Sequence, residues 1–242
     1  MVITSVNNKH IKDICRLKDK KYRDNSGLYI VETFHLVLEA LKYGNVIEVI
    51  ISDGNDIDTD VNKIYVNDVV MKKLSSTESN PKVIAVVKKT INNNYGNKMI
   101  LLDNIQDPGN LGTIIRSAVS FNFDTIVLSD DCVDLYNSKV LRASEGMIFH
   151  INIIRKNLFS FISDIKKDGY LILGTDVNNG IDVRDIEVPS KYAFVIGNEG
   201  NGVSNEVRGL CDNNLYIKIN NNCESLNASV AASIIMYELN SK

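Results

Sequence analysis

Met99-Ile100-Leu101-Leu102-Asp103-Asn104-Ile105-Gln106-Asp107-Pro108-Gly109-Asn110-Leu111-Gly112-Thr113-Ile114-Ile115-Arg116-Ser117 runs from an unbroken apolar strand, through a polar loop with two glycines, into apolar residues at helical spacing. Near-continuous apolar strands belong to sheets buried on both faces. The same alternation continues on either side. Thr125–Leu128, Ile151–Ile154, Tyr170–Leu173, Ala193–Ile196 and Leu215–Ile219 read as strands. Thr113–Phe121, Leu158–Lys167 and Ser225–Leu239 read as helices. Strands alternating with helices predict an α/β unit with a mainly parallel sheet, whose ligands bind beyond the carboxyl ends of the strands.

Upstream, Thr90–Asn97 is rich in Asn and carries Gly96, the composition of a linker. Before it, Tyr29–Val31, Val46–Ile51, Ile64–Val66 and Val83–Val87 read as short strands. Phe34–Lys42 reads as a helix with Gly44 in the place of its C-terminal cap. Two domains are expected: a small α/β unit over 1–91 and a larger one over 97–242.

Composition narrows the function. The chain has 242 residues, 44% hydrophobic and 24% charged, the balance of a globular protein. No apolar run approaches the ~18 residues of a membrane helix. The first residues lack the basic flank and apolar core of a secretion signal, so a cytoplasmic location is expected. Cys15, Cys132, Cys211 and Cys223 are scattered, as are His10, His35 and His150, so neither a disulfide framework nor a metal site is expected. The net charge of −3 disfavours a large nucleic-acid surface, but it hides a local excess. Between Lys9 and Arg23 stand seven basic residues (Lys9, Lys12, Arg16, Lys18, Lys20, Lys21, Arg23) against two acidic ones. Such a run is either a solvated helix face or an arm that contacts phosphates.

Three loops carry the chemistry. In the first, Asn110 stands where a helix N-cap is expected, the helix N-terminus favours an anion, and Arg116 about one turn on offers five donors to a phosphate or ribose oxygen. An ordinary Pro-Gly turn would carry the same residues. The second, Gly197-Asn198-Glu199-Gly200-Asn201-Gly202-Val203-Ser204, forms a tight backbone cradle directly after a strand. It fails both the Gly-x-Gly-x-x-Gly fingerprint and the phosphate-binding P-loop, whose lysine position holds Val203, which disfavours a nucleotide triphosphatase. Glu199 inside it suits a cationic ligand better than a phosphate. In the third, Cys223–Ser233, Ser225 is placed to cap the last helix, and Ser225, Ser229 and Ser233 form a stripe of small side chains. Tight helix packing accounts for the stripe but not for Asn227 beside it.

In this order the three loops resemble the SpoU (TrmH-like) family of RNA ribose 2′-O-methyltransferases, of the SPOUT class. The matching motifs are Asn110–Arg116, Gly197–Gly202 and Ser225–Ser229, and Lys139–Gly146 is similar to a segment between the first two. The resemblance is strong over 98–242. Gly27–Glu32 with the helix at Phe34 looks like the small RNA-binding domain that many members carry in front. The resemblance implies a C-terminal trefoil knot, a homodimer and the cofactor S-adenosylmethionine. By position it implies cofactor contacts at Thr175, Gly197, Asn198, Ile217, Ile219 and Leu226. Catalytic residues would be Asn110, Arg116, Glu199, Ser225 and Asn227, with Arg116 at the ribose hydroxyl and Glu199 fixing either Arg116 or a backbone turn. RNA would meet Lys9, Lys12, Arg16, Lys20, Lys21, Arg23 and Arg142. The front domain favours ribosomal RNA, such as 23S rRNA, as substrate. A tRNA methyltransferase of the same fold and a non-catalytic RNA-binding protein are the alternatives. One stretch departs from the family: Ile217-Lys218-Ile219-Asn220-Asn221 stands where Ile-Pro-Met-x-Gly is usual. Asn221 is expected to keep the left-handed backbone of the missing glycine.

Overall fold

The computed structural model describes residues 2–78, 80–90, 93–177 and 179–240. Part of the expected linker, residues 91 and 92, lies outside them. In chain order the elements are β1 (Val2–Ile3), α1 (Lys9–Arg16), α2 (Lys20–Ser26), β2 (Leu28–Glu32), α3 (Phe34–Tyr43), β3 (Val46–Ser52), β4 (Asn62–Val66), α4 (Asp68–Leu74) and β5 (Val83–Lys88). There follow β6 (Lys98–Leu102), α5 (Pro108–Ser120), β7 (Thr125–Leu128), α6 (Ser138–Ala143), β8 (Asn152–Arg155), α7 (Leu158–Lys167) and β9 (Leu171–Thr175). The chain continues with β10 (Ile181–Asp182), β11 (Tyr192–Ile196), α8 (Asn205–Arg208), β12 (Asn213–Tyr216) and α9 (Ala228–Asn240).

The chain divides into two compact units. The first holds the described residues of 1–91 together with Asp134–His150, a segment that sequence alone leaves with the second domain. Its sheet has the order β1-β4-β3-β5-β2, with β5 antiparallel to both neighbours. Leu141 of α6 joins the core formed by Tyr29, Val31, Leu36, Val37 and Ala85, which explains why the segment belongs here.

The basic run forms α1 and α2. Asn8 caps α1, accepting from the backbone N–H of His10 at 2.9 Å, and Ile11 and Ile14 bury its inner face. Lys9, Lys12, Arg16, Lys20 and Lys21 lie on the exposed face. Arg23 does not. It is only 6% exposed, donates to the carbonyls of Leu17 at 2.8 Å and Lys18 at 2.7 Å, and pairs with Asp134. A guanidinium spent on buried partners is not available to RNA, so Arg23 leaves the RNA-binding set. Arg142, on α6, is half-buried, and its Nη1 is enclosed without a hydrogen-bond partner.

The second unit is built on a seven-stranded sheet of order β10-β12-β9-β11-β6-β7-β8, in which every pairing is parallel. Its central strands are buried throughout: Ile100, Leu101, Phe194 and Val195 are all 0% exposed. The apolar side of α7 (Leu158, Phe161, Ile162, Ile165) packs against Met99, Leu101, Val127 and Ala193. Helices α5 and α9 pack on each other and are joined by the Ser117 and Ser233 hydroxyls at 2.8 Å. This order sets the exits of β12, β9, β11 and β6 side by side. Among the described residues no helix is long and apolar enough to cross a membrane, and no cluster of His, Cys, Asp and Glu could hold a metal.

Candidate active site

The loop after β6 starts its helix earlier than expected. Asp107 is the N-cap, its carboxylate accepting from the Asn110 N–H at 2.8 Å, and Pro108 takes the first helical position, where a missing N–H costs nothing. Asn110 is therefore not the cap. It lies in the first turn, 7% exposed, and its side chain faces the neighbouring loops.

The loop after β11 closes on itself. Asn198 and Gly202 exchange backbone hydrogen bonds at 3.0 and 2.9 Å. The Asn198 side-chain oxygen accepts from the N–H groups of Gly200 and Asn201, while its amide donates to the Asn104 carbonyl at 2.9 Å. Gly197 is required here: a Cβ at this position would stand 2.1 Å from the Gly202 carbonyl carbon and the Val203 nitrogen.

Glu199 reaches from this loop to the N-terminus of α5. Its carboxylate accepts from the N–H groups of Gln106 at 3.2 Å and Asp107 at 3.0 Å, and from the Asn110 amide at 2.9 Å. The anion favoured at this helix end is thus the protein's own carboxylate, not an external phosphate. Of the two roles expected for Glu199, the structure shows the backbone turn; no bond to Arg116 is present among the described residues. Burial pushes the Glu199 carboxyl pKa up, but the donors of Asn110, Asp107 and Gln106 outweigh it and hold the group below its ordinary value. A carboxyl with a depressed folded pKa stabilises above its unfolded pKa and loses that contribution as the pH falls through the folded one. Glu199→Gln is expected to lower stability by about 1 kcal/mol at neutral pH, a small figure because the carboxylate also touches water. The gap to the wild type should close on acidification below the glutamate range, and unfolding midpoints measured against pH read it directly.

The loop before α9 completes the connection. Asn227, not Ser225, caps α9: its side-chain oxygen accepts from the N–H and hydroxyl of Ser229 at 2.9 and 2.7 Å and from the Val230 N–H at 3.3 Å. Its amide donates to the Asn110 side-chain oxygen at 2.9 Å. Glu199, Asn110 and Asn227 thus form one chain of hydrogen bonds through all three loops. Ser225 lies exposed outside the helix, so the stripe of small residues reduces to Ser229 and Ser233.

Beside this chain lies a cavity of about 480 Å³. Thr175, Gly197, Asn198, Ile217, Ile219 and Leu226 all line it, as do Glu199 and Ser225. The Thr175 hydroxyl is committed to the Val195 carbonyl at 2.8 Å. Lys218 is exposed and stays out of the lining. Asn221 does not take up the left-handed backbone: among described non-glycine residues only Thr33, Asn104, Asn122 and Glu145 have positive φ. Arg116 stands apart, eight residues beyond Pro108 and so more than two turns into α5, on its exposed side. No described residue hydrogen-bonds or ion-pairs with its guanidinium.

Sequence alone misses the supports of the first loop. The Cys132 thiol receives the Ile105 N–H at 3.3 Å and donates to the Leu102 carbonyl at 3.2 Å. Arg155 gathers the carbonyls of Ser129, Asp130, Cys132 and Val133 at 2.6–3.2 Å. Also missed are Asp176 and Arg208, an ion pair of 3.5 Å at the cavity wall. None of these belongs to a motif, and only the folded chain brings them near the loops.

A parallel sheet whose adjacent strand ends present three hydrogen-bonded motif loops beside a glycine-backed cavity defines a SPOUT-type architecture. The chain belongs to the SpoU rRNA methylase family, whose profile matches residues 97–237. Residues 8–85 match the MRM3-like substrate binding domain. The chain is 35% identical to the 23S rRNA (guanosine(2553)-2′-O)-methyltransferase RlmP of Bacillus subtilis, over 98% of each chain. Among solved structures it is similar to an AdoMet-bound rRNA methyltransferase from Sinorhizobium meliloti (TM-score 0.87, 25% identity, 98% of this chain and 96% of that one). It is likewise similar to a TrmH-family protein from Porphyromonas gingivalis (TM-score 0.88, 25% identity, 97% of this chain and 98% of that one).

Proposed function

We propose that the chain transfers a methyl group from S-adenosylmethionine to a ribose 2′-hydroxyl of 23S ribosomal RNA. The observation that carries this reading is the Glu199–Asn110–Asn227 chain, which ties the three motif loops into one construction beside the cavity. The cavity suits the cofactor. Its volume lies in the range of small-molecule sites, Gly197 lets the ligand approach the backbone, and Ile217, Ile219 and Leu226 offer apolar walls to an adenine ring. The cofactor, when bound, would supply a methyl on a sulfonium that departs as a neutral thioether, and the proton of the 2′-hydroxyl would pass to solvent, which reaches the exposed Arg116 side.

The protein must then position the ribose and steady the charge that grows on its 2′-oxygen. Arg116 takes that role as an electrostatic partner, since a guanidinium does not readily release a proton and is a poor base. Asn110 and Asn227 hold the loops that orient the sugar, and Glu199 anchors them. Homodimerisation is part of this reading. It is supported by the exposed apolar side chains Val230 and Tyr237 on α9, the latter edge-on against Phe121, the residue after α5, at 5.8 Å. The trefoil knot is supported by the path from β12, beside β9, back to α9 against α5. The first unit serves as the RNA-binding domain, and an rRNA substrate places the enzyme in the cytoplasm.

Radiolabelled transfer to total RNA, followed by mapping of ribose methylation, tests the proposal. Label is expected in 23S rRNA on a 2′-oxygen, with the guanosine named for the B. subtilis relative as the first position to map. Label on a base, or none in RNA, overturns the reading. The exposed lysines of the arm make a second expectation. Replacing Lys9, Lys12 and Lys21 together by Ala should weaken RNA binding without regard to sequence and make the slope of log K against log salt shallower by about 2, at roughly 0.7 per phosphate contact. An unchanged slope would remove the arm from the interface.

A further inference from the structure

Among the described residues, the charged side chains that line the cavity are Asp176, Glu199 and Arg208. Glu199 is bound to the start of α5, which leaves the Asp176–Arg208 pair as the one charged element facing the cavity without a part in the loop network. Among the described residues of the lining, Arg208 is the single cation. It is held by two long contacts, Nη1 to Asp176 Oδ2 at 3.5 Å and Nη2 to the Val203 carbonyl at 3.4 Å. A guanidinium carries five N–H donors in a planar fork that matches a carboxylate. Two weak contacts fix where Arg208 stands and leave donors over.

We propose that Arg208 receives the α-carboxylate of the amino-acid part of S-adenosylmethionine. This rests on the cofactor reading above and adds a residue that no motif of the chain contains. Charge complementarity supports it. The ligand carries two positive groups, the sulfonium and the ammonium, and one negative group, the carboxylate. Among the described residues, the cavity wall opposes them with the Asp176 carboxylate and the Arg208 guanidinium, the Glu199 carboxylate being already engaged at α5. Asp176 competes for Arg208 when the site is empty and keeps the guanidinium at the wall. The 3.5 Å separation makes that competitor weak.

The test is calorimetric titration of the full chain with S-adenosylmethionine and with its decarboxylated analogue, which keeps the adenosine, the sulfonium and the amine. The wild type is expected to prefer the carboxylated ligand by about 10- to 100-fold, the worth of one charge-assisted contact. In Arg208→Gln, which keeps most of the side-chain volume, that ratio should fall to near one while the analogue binds as in the wild type. Arg208→Lys should restore part of the preference. A wild-type ratio near one overturns the proposal without any variant, and so does a ratio unchanged in Arg208→Gln. Failure of both ligands to bind the wild type overturns the cofactor reading itself, a result distinct from bound cofactor with an indifferent Arg208.

Discussion

Arg116→Ala should lower methyl transfer by about 100- to 1,000-fold while titration with S-adenosylmethionine returns the wild-type affinity. The magnitude is that of removing one donor group that stabilises charge in a transition state. The structure separates this effect from folding. The Arg116 side chain is exposed and makes no hydrogen bond or ion pair with a described residue, so its loss should move stability by no more than about 0.5 kcal/mol. It also takes no part in the lining of the cavity. If the guanidinium acts only on the developing alkoxide, kcat and kcat/KM fall together; if it also grips the 3′-phosphate, KM for RNA rises as well. Arg116→Lys keeps the charge but not the fork, and should recover part of the rate. Turnover at the wild-type level in Arg116→Ala would remove this residue from the mechanism.

The two-unit α/β architecture was legible because buried parallel strands announce themselves. Thr125–Leu128 and Leu158–Lys167 are read from apolar pattern at their observed bounds. Where pattern failed, a polar residue had two possible employers. Asp107-Pro108-Gly109 carries the composition of a turn, yet Asp caps, Pro suits the first helical position, and the helix begins five residues before the apolar periodicity does. Ser225 and Asn227 are both good caps; the folded chain uses Asn227, whose oxygen caps α9 while its amide is held by Asn110, 117 residues away in sequence. The basic run gave a charge excess but could not say that Arg23 turns inward to Asp134, since that partner comes from a segment distant in sequence that belongs to the first unit.

The same limit governed the site. Motif spacing brought together the residues that line the cavity, because each follows a strand and the strand ends lie side by side. Glu199 was legible as an oddity and not as an answer. An acid in a glycine cradle suggests a cationic ligand until the first loop is seen to aim its N–H groups at that acid. Asp176 and Arg208 lie outside every motif. Their meaning comes from their place on the wall, which no spacing encodes.

Gly197→Ala should destroy the cavity. The added methyl would stand 2.1 Å from the Gly202 carbonyl carbon and from the Val203 nitrogen. Carbon atoms in ordinary contact keep about 3.5–4.0 Å, so something must give way. The obstacle is backbone, which cannot rotate aside as a side chain would. The strand below is not free to shift either, since β11 is paired in parallel with both β6 and β9. The movement therefore falls on the Asn198–Gly202 hairpin, whose two backbone hydrogen bonds hold Glu199 in reach of α5. A forced overpacking of this kind costs about 3 kcal/mol, at the upper end of such changes, and should lower the unfolding midpoint by roughly 6–12 °C. Cofactor binding should fail beyond the loss of stability, because Gly197 lines the cavity and its neighbour Asn198 shapes the loop beside it. Thermal unfolding and titration with S-adenosylmethionine on the same sample check both parts. Gly209→Ala is the control: a Cβ there meets nothing closer than the Asn205 carbonyl oxygen at 3.5 Å, the residue lies outside the cavity lining, and that variant should bind as the wild type does. Equal behaviour of the two variants would show that close backbone approach at residue 197 is not what builds the site.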